Sequence, residues 1–537
     1  MNEPIVLKVL ERHARIKELR VPWESHWDEI SNRIVPRHNV YFKSKGAKRR
    51  GEIYDSTAPR ANARLAASLH SMLTNPSQKW LSLKISPLSL MEDHNILMWV
   101  EHVTELIMDA INDSNFHTKA HEFYLDLPSL GTGVLFHEEN DGDEGPDFVF
   151  HTLPLIQCAV LENHKGYIDV LQRVVEMSAR NTLNYLWDEA CYDKIRELAE
   201  KKPEEGIQLI HAVFPKNDYD KYNKLNKPFA SVWIATQWKH LLKESGYYEF
   251  PAYVTRWATA SGEIWGRGPG MEGLPDIKTA NAMTKDILEA AEIIIRPPID
   301  MEYKSYLNPV NTSPAHINQR ARGAAKLEPL YIVDGRSIPV TDALLEKVKN
   351  SINDTFFYDA INLIRADRMT ATEVMQRVEE NMRILGPTYS RLQHEFLEPL
   401  VMRAYGILLR RGKIPPPPPQ IAQAGGYVKV EYESPMARAQ RTSDIMAIQK
   451  AMGLVGPFTE AVPDILDNYD TDEIARHIGR TTGLPQKLIR DPEQVAQIRQ
   501  ERQNMQQMAQ IAAIAKDAAK AGKDASQMDM DKLTGGM

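Results

Sequence analysis

The sequence predicts an α+β, mainly helical protein that is divided into several modules. Its 537 residues are too many for a single hydrophobic core. Apolar residues recur at the helical period over most of the chain, whereas residues 147–265 change to short runs rich in β-branched and aromatic side chains. With 43% hydrophobic and 26% charged residues, the composition is typical of a folded protein rather than a disordered one.

Residues 368–400 are the most informative run of the sequence. Thr370 is a suitable N-cap and Glu373 completes a capping box, so a helix is expected to begin here. Its apolar period continues through Pro387, where the missing N–H of proline predicts a kink. A helix over residues 370–411 would be roughly 60 Å long. That length suits a wall or a spoke better than a compact core.

A helix, a small insert and a second helix follow one another over residues 274–357. The first helix is expected over Leu274–Ile295, because apolar residues keep the helical period there and two prolines follow. The return helix is expected over Asp342–Phe357. Residues 299–338 between them contain two strand-like runs. Two helices of similar length closed by a small α/β tip predict a hairpin stalk.

The first third of the chain predicts further helices. Pro22 is expected to open one of them, with Trp23 and Trp27 as packing residues. Thr57 is expected to cap another. A single helix around Thr182–Ala199 is expected to interrupt the β-rich runs, which otherwise predict an antiparallel module.

The C-terminal part begins with a spacer and ends with a helix. Five consecutive prolines at 415–419 predict a stiff polyproline segment. The last helix is expected to begin after Asp491 as N-cap and to continue to about Ala521. The final residues, 524–537, lack core-forming side chains and predict a mobile tail.

The net charge argues against tight DNA binding, and the motif content argues against catalysis. The net charge of −7 has the wrong sign for tight binding of DNA by phosphate neutralisation. The sequence lacks the phosphate-binding G-x-x-x-x-G-K-[ST] loop, the HExxH zinc motif and the G-x-S-x-G nucleophile motif. The acidic run Glu138–Asp147 lacks calcium-loop spacing and predicts a solvated turn. No catalytic residue, metal ligand or cofactor is therefore predicted, and no apolar run reaches the length of a membrane helix.

Several segments, taken in order, resemble the portal (head-to-tail connector) proteins of short-tailed bacteriophages. The main one is MTATEV followed by a charged helix, LGP and RL…E.L.PLV.R, within residues 369–403. The resemblance extends from about residue 20 to residue 490, and no single motif is specific without that order. The other matching segments are Tyr54–Ala58, Leu73–Ser77, Gly131–Gly133, Gly262–Gly270, Leu274–Lys278 and Glu433–Gln440.

The resemblance implies the phage portal fold, whose wing, stem, clip and crown parts form a ring with a central channel. The C-terminal helix is expected to pack against symmetry mates as the crown. The implied parts are the helical N-terminal wing 1–146, the antiparallel β-rich wing 147–270, stem helix 271–298, clip 299–338, stem helix 339–361, tunnel loop 362–369, long kinked wing helix 370–412, Pro-rich spacer and C-terminal wing 413–490, crown helix 491–523 and mobile tail 524–537.

The resemblance also implies a function without enzymatic activity. About twelve copies would form a ring at one capsid vertex, through which double-stranded DNA is packaged, retained and ejected. The partners would be other copies of the chain, double-stranded DNA, the terminase large subunit, a tail adaptor protein, and the major capsid and scaffolding proteins, with no membrane. The protein would assemble in the host bacterial cytoplasm and remain in the virion at the capsid vertex.

Two basic segments are candidate contact sites. In the tunnel loop, Arg365 and Arg368 are expected to touch DNA phosphates as the duplex passes. The alternative is that they form ion pairs with Asp359, Asp367 or a neighbouring subunit. The second basic cluster comprises Lys43, Lys45, Lys48, Arg49 and Arg50. Because no aromatic residues for base stacking lie among them, this cluster is expected to contact another subunit or a scaffold more readily than nucleic acid.

Two other functions remain open at this point. Another phage structural protein, such as a tail adaptor or an internal core protein, would share the helices and the acidic balance but not the helix–tip–helix order. A DNA-processing enzyme belongs to a different class, and the missing catalytic motifs argue against it.

Overall fold

The computed structural model confirms the predicted α+β, mainly helical class. It describes residues 4–36, 53–140, 142, 145–186, 193–216, 226–301, 303–311, 313, 316–330, 338–358, 385–432, 435–459, 463–482 and 484–534. The described chain belongs to two compact units. Unit 1 comprises Met1–Leu83, Val103–Pro415 and Val430–Met436, and unit 2 comprises Lys84–His102, Pro416–Lys429 and Ala437–Met537.

Fourteen α-helices are assigned within the described residues. They are α1 (Pro4–Arg33), α2 (Thr57–Leu73), α3 (His94–Asp113), α4 (Phe116–Leu130), α5 (Ala179–Tyr185), α6 (Asp193–Lys201), α7 (Pro269–Glu272), α8 (Leu274–Ile295), α9 (Ile338–Thr355), α10 (Glu398–Arg410), α11 (Pro419–Gln423), α12 (Pro435–Thr459), α13 (Thr471–Thr481) and α14 (Pro492–Thr534). Residues Gln393–Leu397, immediately before α10, form a π-helical turn.

Two antiparallel sheets of unit 1 contain most of the strands in the described chain. A five-stranded sheet has the sequential order β4-β5-β6-β7-β8, and a three-stranded sheet has the order β3-β2-β9. The strands are β1 (Leu81–Ser86), β2 (Thr132–Glu139), β3 (Phe148–Thr152), β4 (Cys158–Glu162), β5 (Ile168–Ser178), β6 (Gly206–Pro215), β7 (Phe229–Ala235), β8 (His240–Tyr247), β9 (Ala252–Arg256), β10 (Ile299–Asp300), β11 (Glu328–Pro329) and β12 (Tyr427–Tyr432).

The five-stranded sheet is covered by helices on both faces. Because side chains alternate along a strand, Ile210, Ala212 and Phe214 of β6 face one way and Ile207 and Leu209 face the other. The first face packs on the start of α1, and the second packs on α5 and α6. Full burial of each large apolar side chain contributes roughly 1.5–3 kcal/mol, so the two layers fix the sheet from both sides.

The structure corrects three predictions of helix boundaries. Pro22 does not open a helix, because α1 runs through it without interruption from Pro4 to Arg33. The expected single helix Thr182–Ala199 is two helices, α5 and α6, of which α5 ends at Tyr185. The last helix continues to Thr534, through most of the segment predicted as a mobile tail. Its Ala, Lys, Gln and Met residues are good helix formers, and propensity therefore prevails there.

Two further predictions are incomplete because they did not include tertiary contacts. The segment 1–146 is mostly helical within the described residues, as expected, but it also contains β1 and β2, and β2 is the central strand of the three-stranded sheet. The run Glu138–Asp147 is not simply a solvated turn. Asp147 is buried, and its carboxylate accepts hydrogen bonds from Arg411 and Lys413, both at 2.9 Å.

Candidate assembly site: the helical hairpin and its base

Helices α8 and α9 lie side by side as an antiparallel hairpin. The start of α8 meets the end of α9, where Ser351 Oγ donates to Asp276 Oδ2 at 2.7 Å. At the other end, the antiparallel pair β10 and β11 lies in the connection between the helices. The predicted helix–insert–helix arrangement is therefore confirmed. Helix α8 ends at the predicted residue, Ile295, whereas α9 runs over Ile338–Thr355 instead of the predicted 342–357.

The hairpin is anchored in the core only at its base. Leu274, Ile277 and Ala280, in the first two turns of α8, are buried, and no later residue of that helix is. A helix of 22 residues is roughly 33 Å long, so most of its length extends beyond the packed base. In α9, Leu345 and Ile352 are buried. The two helices are therefore held rigidly at one end and are accessible along the rest.

An extended segment before α2 locks this base. Asn281 Oδ1 accepts hydrogen bonds from the backbone N–H groups of Tyr54 and Asp55, at 2.8 and 3.2 Å. The Asp55 carboxylate in turn accepts from the N–H of Thr57 at 2.9 Å, where α2 begins. Asp55 therefore satisfies the first N–H of α2, the N-cap position is Ser56, and Thr57 is the first residue of the helix rather than its predicted cap. The YDSTA segment, Tyr54–Ala58, thus links the start of α2 to α8. The sequence alone did not indicate a role for Asn281.

Glycines allow two backbone segments to touch directly beneath the hairpin. A Cβ on Gly266 would lie 2.2 Å from the carbonyl oxygen of Gly131, and one on Gly131 would lie 2.3 Å from that of Gly266. Gly131 also has φ +76°, which glycine adopts without strain. The Thr132 hydroxyl accepts the Gly266 N–H at 2.9 Å. Only glycine fits here, and α7 and α8 follow immediately from the contact.

Arg256, the last residue of β9, forms hydrogen bonds with three other parts of unit 1. Its guanidinium donates to the Glu395 carboxylate at 2.7 Å, to Glu162 at 3.2 Å and to the carbonyl oxygen of Gly166 at 3.0 Å. Both Arg256 and Glu395 have side chains that are almost fully buried, 7% and 12% exposed. Glu395 lies in the π-helical turn, so this irregularity directs a carboxylate at a buried cation.

A second buried arginine fixes α10 to the three-stranded sheet. Arg403 is 1% exposed and donates to the carbonyl oxygens of His137 and Glu249, at 3.2 and 3.0 Å. The His137 ring contacts the Tyr253 hydroxyl at 2.6 Å. Burial, with a smaller effect of Arg403, holds the pKa of His137 well below its ordinary value, and the ring is therefore neutral. The cluster is enclosed in the core and has a structural rather than a catalytic arrangement.

Tryptophans at the hairpin base are packing residues, as the sequence predicts. Trp27 is fully buried, and its ring meets that of Trp265 edge to face at a centroid distance of 4.9 Å. Arg267 lies over the Trp23 ring at 5.1 Å. The GEIWGRG segment thus packs on α1. It is not a nucleotide-binding loop.

The far end of the hairpin exposes large apolar side chains. Tyr303 is 86% exposed and Ile317 is 83% exposed. Such clustered exposure of large apolar side chains is unusual on a monomer. We call this surface the tip patch; its described members are Ile294, Ile295, Ile299, Met301, Tyr303, Leu307, Ile317 and Leu330.

The basic side chains predicted as contact sites cannot be placed. Arg365 and Arg368 lie outside the described residues, as do Lys43, Lys45, Lys48, Arg49 and Arg50. Their roles therefore stay predictions. In the part of the chain that is described, no group of three or more His, Cys, Asp or Glu side chains is arranged to hold a metal ion. No described helix has the length and apolar content of a membrane span.

Comparisons with known proteins agree with the resemblance seen in the sequence. The family model "Bacteriophage head to tail connecting protein" matches residues 7–489. The chain is 28% identical over 508 residues to the "Probable portal protein" of Bordetella phage BPP-1, covering 91% of this chain and 89% of that protein. It is 26% identical over 504 residues to the "Portal protein" of Salmonella phage epsilon15, with the same coverage.

A solved structure, "Virion of native gene transfer agent (GTA) particle", matches 75% of this chain and 86% of its own, at 10% identity and a TM-score of 0.36. A TM-score this low does not establish a shared fold. The family match, by contrast, spans most of the chain and includes both the hairpin and the glycine contact at its base. This chain therefore belongs to the family of bacteriophage head-to-tail connecting proteins.

Proposed function

We propose that the protein is a portal: a ring of about twelve copies at one capsid vertex, through which double-stranded DNA is packaged, retained and ejected. The observation that carries this proposal is the antiparallel hairpin of α8 and α9, buried only at its base and apolar at its tip. Relatives named portal proteins match the chain over nearly its full length, which supports the same role here.

In this proposal the hairpin is the stem and residues 299–338 are the clip. The rigid base positions the stem, since Asn281 and the glycine contact leave it little freedom. Exposed apolar side chains such as Leu288 and Leu344 on the stem would be covered by neighbouring copies. The exposed Met505, Met508, Ile511 and Ile514 of α14 would be covered in the same way as a crown.

The tip patch is proposed to dock other proteins in sequence, first the terminase large subunit and later a tail adaptor. Its contacts would be reversible, because a packaging motor must leave before a tail protein binds. Replacing Tyr303 and Ile317 by serine should leave the ring intact and abolish docking. A matched control is Tyr167→Ser, an exposed aromatic residue outside the hairpin. Equal loss in both variants would contradict a specific role of the tip.

Passage of DNA is proposed to depend on charge as well as on geometry. A chain with net charge −7 makes an acidic ring that does not hold the duplex by its phosphates. Arg365 and Arg368 would add transient contacts in the channel. Replacing both by alanine should leave ring assembly unchanged and impair DNA packaging or retention. If the variant rings fail to assemble, the two arginines form structural ion pairs instead.

The proposal gives the protein no enzymatic role. It would act in the virion by positioning DNA, motor and tail, together with the capsid and scaffolding proteins. Native mass measurement of the purified chain tests this first. A discrete ring of about twelve copies supports the portal, whereas a stable monomer favours a tail adaptor or an internal core protein. Metal-dependent nuclease or ATPase turnover by the pure protein would contradict the structural role.

A further inference from the structure

A pocket of about 280 Å³ lies in unit 2, between α13, the start of α14 and the first turns of α3. Its wall includes Gln486, which is buried. The Gln486 N–H donates to the Glu101 carboxylate at 2.7 Å, and its side-chain amide lies 3.2 Å from Nδ1 of His94. One wall of the pocket is therefore a buried, hydrogen-bonded amide, whereas its charged side chains are more exposed.

Two contacts hold the helices around the pocket. Arg499 of α14 donates both terminal guanidinium nitrogens to the Asp472 carboxylate of α13, at 2.6 and 2.7 Å. This pairing lowers the pKa of Asp472, and the carboxylate stays charged at neutral pH. Gly479 lets the chain after α13 approach closely, since a Cβ there would lie 3.0 Å from Ile489. These contacts bring α13, the segment after it and α14 together beside the pocket.

The charge of the lining is strongly positive. Three arginines, Arg476, Arg480 and Arg490, line the pocket with a single carboxylate, that of Glu473. Glu473 accepts from Arg476 at 3.1 Å and from Arg480 at 3.5 Å, and is shared between them. Arg490 has no ion pair with any residue that the structure describes.

Three guanidinium groups around a single carboxylate repel one another, and a bound anion would offset that repulsion. Guanidinium groups match phosphate oxygens in geometry and form charge-assisted, often bidentate hydrogen bonds with them. A tetrahedral phosphate can accept from several arginines at once, whereas the one carboxylate present already serves two.

We propose that this pocket binds a phosphate group, supplied either by a DNA backbone or by free phosphate. Arg490 provides a positive charge that no described ion pair offsets. Arg476 and Arg480, which share Glu473, donate some of their N–H groups to the phosphate instead. The site lies within unit 2 and does not rest on the assembly of a ring.

The test uses the full-length chain with two probes at constant ionic strength, because screening changes every phosphate contact. Inorganic phosphate is titrated by calorimetry, and a short fluorescent DNA duplex is titrated by anisotropy. Saturable binding of phosphate alone identifies free phosphate as the ligand. Binding of the duplex that phosphate displaces identifies the DNA backbone. If neither probe binds saturably, the proposal is overturned.

Arg490→Gln is the decisive variant, because it removes an exposed side chain that makes no described ion pair. Affinity for the bound probe should fall about tenfold or more, as expected for a lost charge-assisted hydrogen bond. Arg502→Gln is the matched control: it removes the same charge from an exposed position of α14 outside the pocket, and affinity should be unchanged. Equal losses in the two variants would show non-specific attraction and would contradict the site. Ring formation, measured separately, tells failure of this proposal from failure of the portal proposal.

Discussion

Replacing Arg256 by methionine is expected to lower the free energy of unfolding of unit 1 by about 3 kcal/mol. The change removes the Arg256 hydrogen bonds to Glu395, Glu162 and the Gly166 carbonyl, and leaves the nearly buried Glu395 carboxylate without its main partner. Breaking a buried ion pair typically costs about 3–5 kcal/mol. The lower end applies because Arg391 still reaches Glu395, at 3.2 Å.

Urea unfolding followed by tryptophan fluorescence measures this loss, since Trp257 and Trp265 lie in the neighbouring segment. Arg267→Met is the matched control, because it removes only exposed contacts, an ion pair with Glu263 and a contact with the Trp23 ring, each worth no more than about 1 kcal/mol. A second change, Glu395→Leu, should recover part of the loss caused by Arg256→Met by removing the stranded charge. Similar destabilisation by the Arg256 and Arg267 variants would refute the reasoning.

Three further predictions concern the hairpin base and the core. Gly266→Ala should destabilise the protein by several kcal/mol, because the new Cβ would lie 2.2 Å from a carbonyl oxygen. The control Gly453→Ala should be tolerated, because a Cβ there meets no atom within 4 Å. Urea midpoints compare the two variants. Asn281→Leu should cost about 1–3 kcal/mol by orphaning two N–H groups, with faster proteolysis at residues 53–56 as the readout. Burial lowers the pKa of His70 and His117, so the free energy of unfolding should fall as pH drops below the ordinary histidine pKa. His117→Gln should reduce this pH dependence of stability.

The sign of the pH effect follows from which state binds protons. Histidines with a lowered pKa stay neutral in the folded chain but take up protons in the unfolded chain near pH 6.5. Their contribution is therefore fully present above that pH, and is lost as pH falls toward the lowered values. Urea midpoints measured from pH 7.5 to pH 5 check this. A midpoint that rises as the solution is acidified would contradict it.

The parts of the fold that follow from local sequence were predicted well. Helix α8 runs over Leu274–Ile295, because periodic apolar residues, an early proline and two following prolines fix its limits. Pro22 misled the prediction for α1, since buried packing of Trp27 and Ile30 outweighs the missing hydrogen bond. The extra length of α14 likewise reflects helix propensity, which the absence of core residues had obscured.

The contacts that hold the candidate site together could not be predicted in the same way. Gly131 and Gly266 are far apart in sequence, and no local pattern shows that each glycine faces the other's carbonyl oxygen. The Arg256–Glu395 pair is separated by 139 residues, and Glu395 points toward Arg256 from a π-helical turn that has no sequence signature. The order of segments identified the family, whereas the reasons for its glycines and buried charges are visible only in three dimensions.

Imaging of purified particles by electron cryomicroscopy tests the portal proposal most directly. The account predicts closed rings in which helices 274–295 and 338–355 of every copy surround an open axis, with residues 362–369 facing it. A monomer, or rings in which these two helices lie at the outer rim, would contradict it.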